Sequence, residues 1–138
     1  MIKFKKWAGV ILRNKDEVLL CKRSPKKPLP NTWSIPSGKI EDGESPGQAA
    51  IREFYEETNI ELSTKIDFVG FVNKLKEDGT KKGHMFVFYI ESKTKMEPDL
   101  ENAKDGFEHT ECKYFNKENL PQQKNNEELM DLLKKILK

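Results

Sequence analysis

Hydrophobic and polar residues alternate along much of the chain in short segments, which is the pattern of β-strands. Apolar and β-branched residues at positions 4–12 and 18–21 flank a turn at Asn14-Lys15-Asp16, so these segments predict a hairpin. Further extended segments are predicted at residues 33–35, 66–75, 84–90 and 111–115.

Two stretches have the periodicity of amphipathic helices. The first is predicted to begin at Ser45, because Ser45 and Gln48 can form a capping box and Pro46 takes the first helical position. It should end at Asn59, since Asn tolerates the left-handed conformation of a helix end. A second helix is predicted over residues 126–137. Strands and helices together predict one α+β domain over residues 1–138.

Composition favours a well-solvated globular protein and excludes a disordered tail. Charged residues make up 35% of the 138 residues and hydrophobic residues 36%. The net charge of +2 points to no particular partner, and lysines spread along the chain are usually solvated, so nucleic-acid binding is not expected.

Cys21 and Cys112 form no Cys-x-x-Cys motif and have no second pair, so neither a disulfide framework nor a zinc site is predicted. Cys21 is expected in the core, and a reducing cytoplasm is the expected location. The longest apolar runs, at residues 7–12 and 85–90, are far shorter than the roughly 20 residues of a membrane span, so no membrane association is expected.

Glu53, Glu56 and Glu57 share one narrow arc of the first helix, opposite an apolar face. The like-charge pair Glu53 and Glu57 costs roughly 0.2–0.5 kcal/mol, which Arg52 offsets only in part. A divalent cation would remove this repulsion, and oxygen ligands without His or Cys suit Mg²⁺ or Mn²⁺ better than zinc. The helix alone favours a solvated acidic face without a ligand over a metal site.

The loop before this helix extends the pattern into a motif. A Gly, an acidic residue and the helix glutamates stand at the spacings Gly-x5-Glu-x7-Arg-Glu-aromatic-x-Glu-Glu-x-x-aliphatic, at Gly38, Glu44, Arg52, Glu53, Phe54, Glu56, Glu57 and Ile60. This resembles the Nudix hydrolase signature at eight of its nine specified positions, with Asn59 in place of the last Gly. The resemblance covers nearly the whole chain and implies an α/β/α sandwich with a mixed sheet between helices.

The resemblance also implies roles for residues of the motif. Glu53, Glu56 and Glu57 would hold the metal, together with the backbone carbonyl of Ser37. Glu53, or a residue outside the motif, would position or deprotonate the attacking water.

Three further residues take supporting roles by the same resemblance. Arg52 would orient the glutamates by ion pairing, and Glu44 would brace the loop or reach a metal-bound water. A distant acid that adds to the metal ligands is expected just before the last strand, at Glu108, with Glu111 as second choice. Residues 108–109 equally fit a solvated loop without a site role.

Substrate recognition is less defined by the sequence. Arg23, at a strand end, fits phosphate binding or simple exposure. Asn116 fits base recognition or a helix N-cap, and Phe86 fits base stacking or the core. His84 and His109 fit general bases, although a lone His is more often structural.

The function implied is metal-dependent hydrolysis of a nucleoside diphosphate linkage. The favoured substrate is a nucleoside triphosphate, normal or oxidised, split into nucleoside monophosphate and pyrophosphate. Dinucleoside polyphosphates and ADP-ribose or nucleotide sugars are alternatives. A non-catalytic nucleotide-sensing or partner-binding module is the alternative of another class, although such modules usually lose motif glutamates and this chain keeps all of them. The protein is expected as a monomer or homodimer.

Overall fold

The computed structural model describes residues 5–138 and contains a mixed seven-stranded sheet with two helices. The strands are β1 (Lys5–Asn14), β2 (Glu17–Arg23), β3 (Trp33–Ser34), β4 (Ser37–Lys39), β5 (Asp67–Leu75), β6 (Lys81–Glu91) and β7 (His109–Asn116). The helices are α1 (Pro46–Thr58) and α2 (Glu127–Ile136), and single 3-10 turns occupy Gly106–Glu108, Lys117–Asn119 and Lys124–Asn126. The predicted α+β class is confirmed, while Phe4, the predicted start of the first strand, lies outside the described residues.

Strand β1 is central and has a different partner on each edge. On one edge it pairs in parallel with β6 along Lys5–Arg13, and β6 in turn pairs with β5. On the other edge, β2 pairs with β1 only at Arg13 and Asn14, and β4 pairs with Trp7–Gly9. Gly9 permits this approach, because a Cβ there would lie 2.8 Å from Cβ of Ser37. Strand β4 is therefore held against the centre of the sheet.

The sheet separates two hydrophobic clusters, one under each helix, which confirms the predicted sandwich. Because side chains alternate along a strand, β1 contributes to both clusters. The α1 cluster includes Ala8, Val10, Leu12, Leu19, Ala49, Ala50 and Phe54. The α2 cluster includes Trp7, Ile11, Val18, Leu20, Met85, Val87, Leu129 and Leu133.

Helix α1 begins and ends where its sequence predicts. Gln48 N donates to Ser45 Oγ at 3.1 Å, and Ser45 N donates to Gln48 Oε1 at 2.9 Å, which completes the capping box. At the other end, Asn59 adopts the left-handed conformation (φ 64°, ψ 17°), and its N–H donates to Tyr55 O. These caps fix where the helix starts and stops, and so which of its residues face the sheet.

Helix α2 is one residue shorter at each end than predicted. Leu129 and Leu133 are fully buried, and the Glu128 carboxylate accepts hydrogen bonds from N and Nδ2 of Asn73 at 3.1 and 3.0 Å. These contacts tie α2 to β5. Within residues 5–138, no helix is long and apolar enough to cross a membrane.

The prediction that the cysteines are unpaired is wrong. The antiparallel register of β2 and β7 sets Cys21 directly opposite Cys112, and the two form a disulfide. They are 91 residues apart in sequence, so only the strand pairing brings them together. Cys21 is buried, as expected. The absence of cysteine spacing motifs is therefore no argument for a reducing compartment.

Candidate active site

A cavity of about 430 Å³ opens beside Trp7 of β1, and side chains of both charges line it. An acidic cluster from α1 and the turn before β7 comprises Glu53, Glu57 and Glu108. A basic cluster from the ends of four strands comprises Arg23, Lys39, Lys74 and Lys82. The cavity therefore presents carboxylates and cations to the same ligand.

Glu53 occupies a place that only a glycine in β4 leaves open. A Cβ on Gly38 would overlap the Glu53 carboxylate. Strand β4 pairs with the central strand, while α1 packs on the sheet through Ala50 and Phe54. Two rigid elements thus meet at Gly38, and the Glu53 carboxylate is held between them.

The half-buried carboxylate of Glu53 and the buried carboxylate of Glu57 resist ionisation in the absence of a cation. Burial raises the pKa of Glu57 to about 8, and the negative charge of Glu108 adds to the effect. Burial raises the pKa of Glu53 to about 7, reinforced by Glu57 and opposed by Arg52. A divalent cation would favour the charged forms, and an all-oxygen donor set suits Mg²⁺ or Mn²⁺. Glu53 and Glu57 therefore fit the predicted metal.

Arg52 joins the helix to the loop that precedes it. Its Nε and Nη2 donate to the two oxygens of Glu44 at 2.7 and 2.9 Å, and its Nη1 donates to Glu53 Oε1 at 2.8 Å. Its Nη2 also donates to the carbonyl of Lys39 at 3.1 Å. The hydrogen bond from Arg52 lowers the pKa of Glu44. Such a two-pronged pair restricts the orientation of both side chains.

Glu56 is not brought into the cavity with the other two glutamates. Its carboxylate pairs with Nη1 of Arg52 at 3.2 Å and with Nζ of Lys104 at 3.6 Å. Arg52 lies one turn earlier on the same flank of α1. Across residues 5–138, no three His, Cys, Asp or Glu side chains are arranged as a ready-made metal site. Ser37 lines the cavity, and its role as a carbonyl ligand stays a prediction.

His109 makes a contact with the acidic cluster that the sequence did not reveal. Its Nε2 lies 2.7 Å from Oε1 of Glu57, and its buried Nδ1 has no hydrogen-bond partner among the described residues. Burial lowers the pKa of His109 and so disfavours the charged form of the ring. Adjacency to Glu108 was the one sequence signal, and it does not single out Glu57.

Of the two acids proposed near the last strand, only Glu108 lines the cavity. It ends the turn Gly106–Glu108, lies 3.6 Å from Lys27 Nζ, and is close enough to Glu57 to raise its pKa. Glu111 is exposed on β7, opposite Lys22. Glu108 therefore belongs to the same group of carboxylates as the helix glutamates.

Of the three predicted substrate-binding residues, one lines the cavity and two do not. Arg23 lines the cavity, with its Nε donating to Pro28 O at 2.5 Å. Asn116 does not; its Oδ1 accepts from Asn119 N at 3.0 Å and caps the following turn, which was the alternative interpretation. Phe86 does not either, because it packs on the α1 side of the sheet, 4.8 Å from the Phe71 ring. Side-chain alternation points it away from the side of its neighbours Met85 and Val87.

Comparison with known proteins gives a single family. The family model described as NUDIX domain matches residues 3–135. An 8-oxo-dGTP diphosphatase from Proteus vulgaris is 39% identical over 56 residues, which is 41% of this chain and 50% of that protein. An RNA pyrophosphohydrolase from Cereibacter sphaeroides is 36% identical over 61 residues, which is 44% of this chain and 36% of that protein. The chain thus spans about a third to a half of these relatives.

The fold has solved counterparts over nearly its full length. The crystal structure of a MutT NUDIX hydrolase from Burkholderia pseudomallei superposes with a TM-score of 0.76. The two chains are 22% identical, and the superposition covers 93% of this chain and 95% of that one. At this identity the likeness concerns the fold.

Proposed function

The chain belongs to the NUDIX domain family, and on that basis we propose that it hydrolyses the diphosphate linkage of a nucleoside triphosphate, normal or oxidised. The products are a nucleoside monophosphate and pyrophosphate. The observation that carries this proposal is the pair of carboxylates, half-buried Glu53 and buried Glu57, in a cavity that is also lined by cations. The similarity to an 8-oxo-dGTP diphosphatase supports a triphosphate as the substrate.

We propose Mg²⁺ or Mn²⁺ as the cofactor, held by Glu53 and Glu57 with the Ser37 carbonyl and with Glu108 nearby. When bound, such an ion supplies charge neutralisation at the phosphate oxygens and lowers the pKa of a coordinated water. Glu56, whose carboxylate pairs with Arg52 and Lys104, stays a proposed ligand of the same ion.

The chain's own residues supply positioning and proton transfer. A water oxygen bonds to one phosphorus of the linkage, the bond from that phosphorus to the bridging oxygen breaks, and the other phosphate group leaves with the bridging oxygen. We assign acceptance of the water proton to Glu53, whose carboxylate is fixed by Arg52 and by the surface of Gly38. Arg23 and Lys39 bind the phosphate oxygens on which negative charge accumulates.

The test is a nucleotide panel with Mg²⁺, in which phosphate and pyrophosphate release are measured. The panel holds dGTP, 8-oxo-dGTP, a dinucleoside tetraphosphate and ADP-ribose. Triphosphates should be turned over, and Glu53→Gln or Glu57→Gln should lower kcat by about a hundredfold or more. Glu61→Gln, at an exposed position after α1, is the matched control and should leave kcat unchanged.

Turnover of ADP-ribose or of the dinucleoside tetraphosphate alone would contradict the triphosphate assignment. No turnover of any compound by the wild type would contradict the enzyme assignment and favour a nucleotide-sensing module. Binding of nucleotides without turnover, unchanged by either glutamine substitution, would do the same.

A further inference from the structure

Lys82 reaches the cavity beside Lys74 because of a β-bulge near the turn of the β5–β6 hairpin. Lys74 pairs with Gly83 and Leu75 pairs with Lys81, so Lys82 has no partner in the ladder. Strict alternation would turn Lys82 away from the face that Gly83 and Lys74 share. The extra residue re-aims the side chain, as bulges commonly do, and both lysines line the same cavity.

The two lysines share an aromatic support. Nζ of Lys82 lies 5.1 Å and Nζ of Lys74 lies 5.7 Å from the centre of the Trp7 ring. The ring itself fits only because residue 83 is glycine, since a Cβ there would overlap it. Cation–π contact orients the two ammonium groups without neutralising them.

The positive charge of the basic cluster has no carboxylate partner within ion-pair distance among residues 5–138. Burial, together with the charges of Lys82 and Arg23, lowers the pKa of Lys74 to about 8, and the charge of Glu57 opposes this shift only in part. The pKa of Lys82 is also lowered by burial and by Arg23 and Lys39. Like charges gathered in a cavity are unfavourable unless an anion binds there.

The cavity offers little surface on which a base can stack. Apart from His109, the aromatic residue that lines it is Trp7, whose ring is 7% exposed and lies beneath the lysines. The exposed aromatic rings of the hairpin, Phe68 and Phe71, lie on the α1 side with Phe86. The chemistry beyond the acidic cluster is therefore that of an anion site.

We propose that Lys74 and Lys82, supported on Trp7 and beside Arg23 and Lys39, bind a phosphate group additional to the two that the scissile linkage joins. This rests on the proposed function and deepens it, because it assigns two side chains to the third phosphate and makes that phosphate a requirement for tight binding. A linear chain of phosphates and a phosphorylated ring share this chemistry. ADP-ribose, with two phosphates, lacks the group.

The first experiment measures binding without turnover. Calorimetry in EDTA compares pyrophosphate, inorganic tripolyphosphate and inositol hexakisphosphate on the full chain. Tripolyphosphate should bind at least tenfold more tightly than pyrophosphate. Lys74→Met and Lys82→Met should each weaken tripolyphosphate binding by roughly tenfold, since each removes a charge-assisted contact. Lys135→Met, at an exposed position of α2, should leave it unchanged.

One further variant distinguishes anion binding from an effect on folding, and one further comparison identifies the class of ligand. Lys74→Arg retains the charge and should bind tripolyphosphate within about threefold of wild type, which a purely structural role would not require. Tighter binding of inositol hexakisphosphate than of tripolyphosphate identifies a phosphorylated ring as the extra group, and the reverse order identifies a linear chain. Equal binding of pyrophosphate and tripolyphosphate, or variants that bind like wild type, overturns the proposal.

Kinetics separate this proposal from the proposed function. If triphosphates are hydrolysed, the double variant Lys74→Met/Lys82→Met should raise KM for dGTP and reduce the preference for dGTP over ADP-ribose by tenfold or more. Tripolyphosphate binding that depends on both lysines, without turnover of any nucleotide, supports the anion site and contradicts the proposed function. Turnover with a KM unaffected by the double variant supports the function and overturns the anion site.

Discussion

His109 and Glu57 form a buried pair in which Nε2 lies 2.7 Å from Oε1, and this is the closest tie between β7 and the acidic face of α1 among the side-chain contacts described. The histidine begins β7 opposite Arg23, so its backbone is fixed by the sheet. A metal-binding side chain keeps one orientation when a neighbouring residue on a rigid element hydrogen-bonds to it. The pair therefore links the sheet to a carboxylate of the candidate metal site.

Replacement of His109 should weaken metal binding. In His109→Leu, Glu57 loses its partner, and we expect Mn²⁺ affinity to fall about tenfold, in the range typical of residues that orient metal ligands. His109→Gln retains an amide that can donate to the carboxylate and should recover part of the loss. Free Mn²⁺ is measured by electron paramagnetic resonance, independently of turnover. Equal affinity in the leucine variant and wild type would contradict this positioning role.

Replacement of Gly38 by alanine should displace the Glu53 carboxylate, because the added Cβ overlaps it. Since displacement of a catalytic group by about 1 Å commonly costs a hundredfold, we expect kcat to fall by about that factor. Gly47→Ala is the matched control. Its Cβ would lie 3.8 Å from the nearest atom, the Cε1 of Phe88, so kcat should not change and helix propensity should raise stability by up to about 1 kcal/mol.

The metal-free protein should lose stability as pH rises from 6.5 to 8. The pKa values of Glu53 and Glu57, about 7 and about 8, lie above the ordinary value of 4.5, so the folded state retains protons that the unfolded state has released. Stability then falls with pH, by on the order of 1 kcal/mol per pH unit. Denaturant unfolding in EDTA at several pH values measures this slope.

The titration of two other side chains limits the pH range over which this slope can be measured. The lowered pKa of His109 opposes the trend below pH 6.5, and the lowered pKa of Lys74 opposes it above pH 8. Glu57→Gln removes one of the two titrating carboxyls and should flatten the slope. Added Mn²⁺ should stabilise more at pH 8 than at pH 6.5, because it binds the ionised form. A slope unchanged in Glu57→Gln would refute the assignment.

Reduction of the disulfide should destabilise the fold. Cys21 and Cys112 close a loop with a sequence separation of 91, and loss of such a cross-link costs roughly 4 kcal/mol through the entropy of the unfolded chain. We expect dithiothreitol to lower Tm by roughly 10 °C. The variant Cys21→Ala/Cys112→Ala serves as control, and its Tm should not respond to dithiothreitol. If wild type keeps its Tm when mass spectrometry shows both thiols reduced, the disulfide is not stabilising.

Local signals in the sequence predicted the fold well where they act over a few residues. The Ser45 capping box and the Asn59 helix end are determined by neighbours three or four residues away, and both are found as predicted. The spacing of Gly38, Glu44 and Arg52 likewise identified a loop and helix that the structure joins through hydrogen bonds. These features need no knowledge of tertiary contacts.

The features that the sequence did not predict depend on strand register. Cys21 meets Cys112 only through the pairing of β2 with β7, and Lys82 reaches the cavity only through a one-residue bulge. The placement of Phe86 follows from the same cause, since a residue's face depends on the register of its strand. The three glutamates of α1 also differ in a way that their helical spacing does not show, because Glu53 and Glu57 line the cavity and Glu56 does not.

The pairing of β1 with β4 on one edge and with β6 on the other sets the distance between the acidic and the basic side chains of the cavity. Gly38 of β4, which seats Glu53, and the hairpin that carries Lys74 and Lys82 are both registered against the same short segment around Trp7. Strand spacing in a sheet is nearly invariant. Strand β1 therefore fixes the distance between the two charged clusters. Insertions at residues 24–32 or 76–80 would reshape the rim of the cavity and leave that length unchanged.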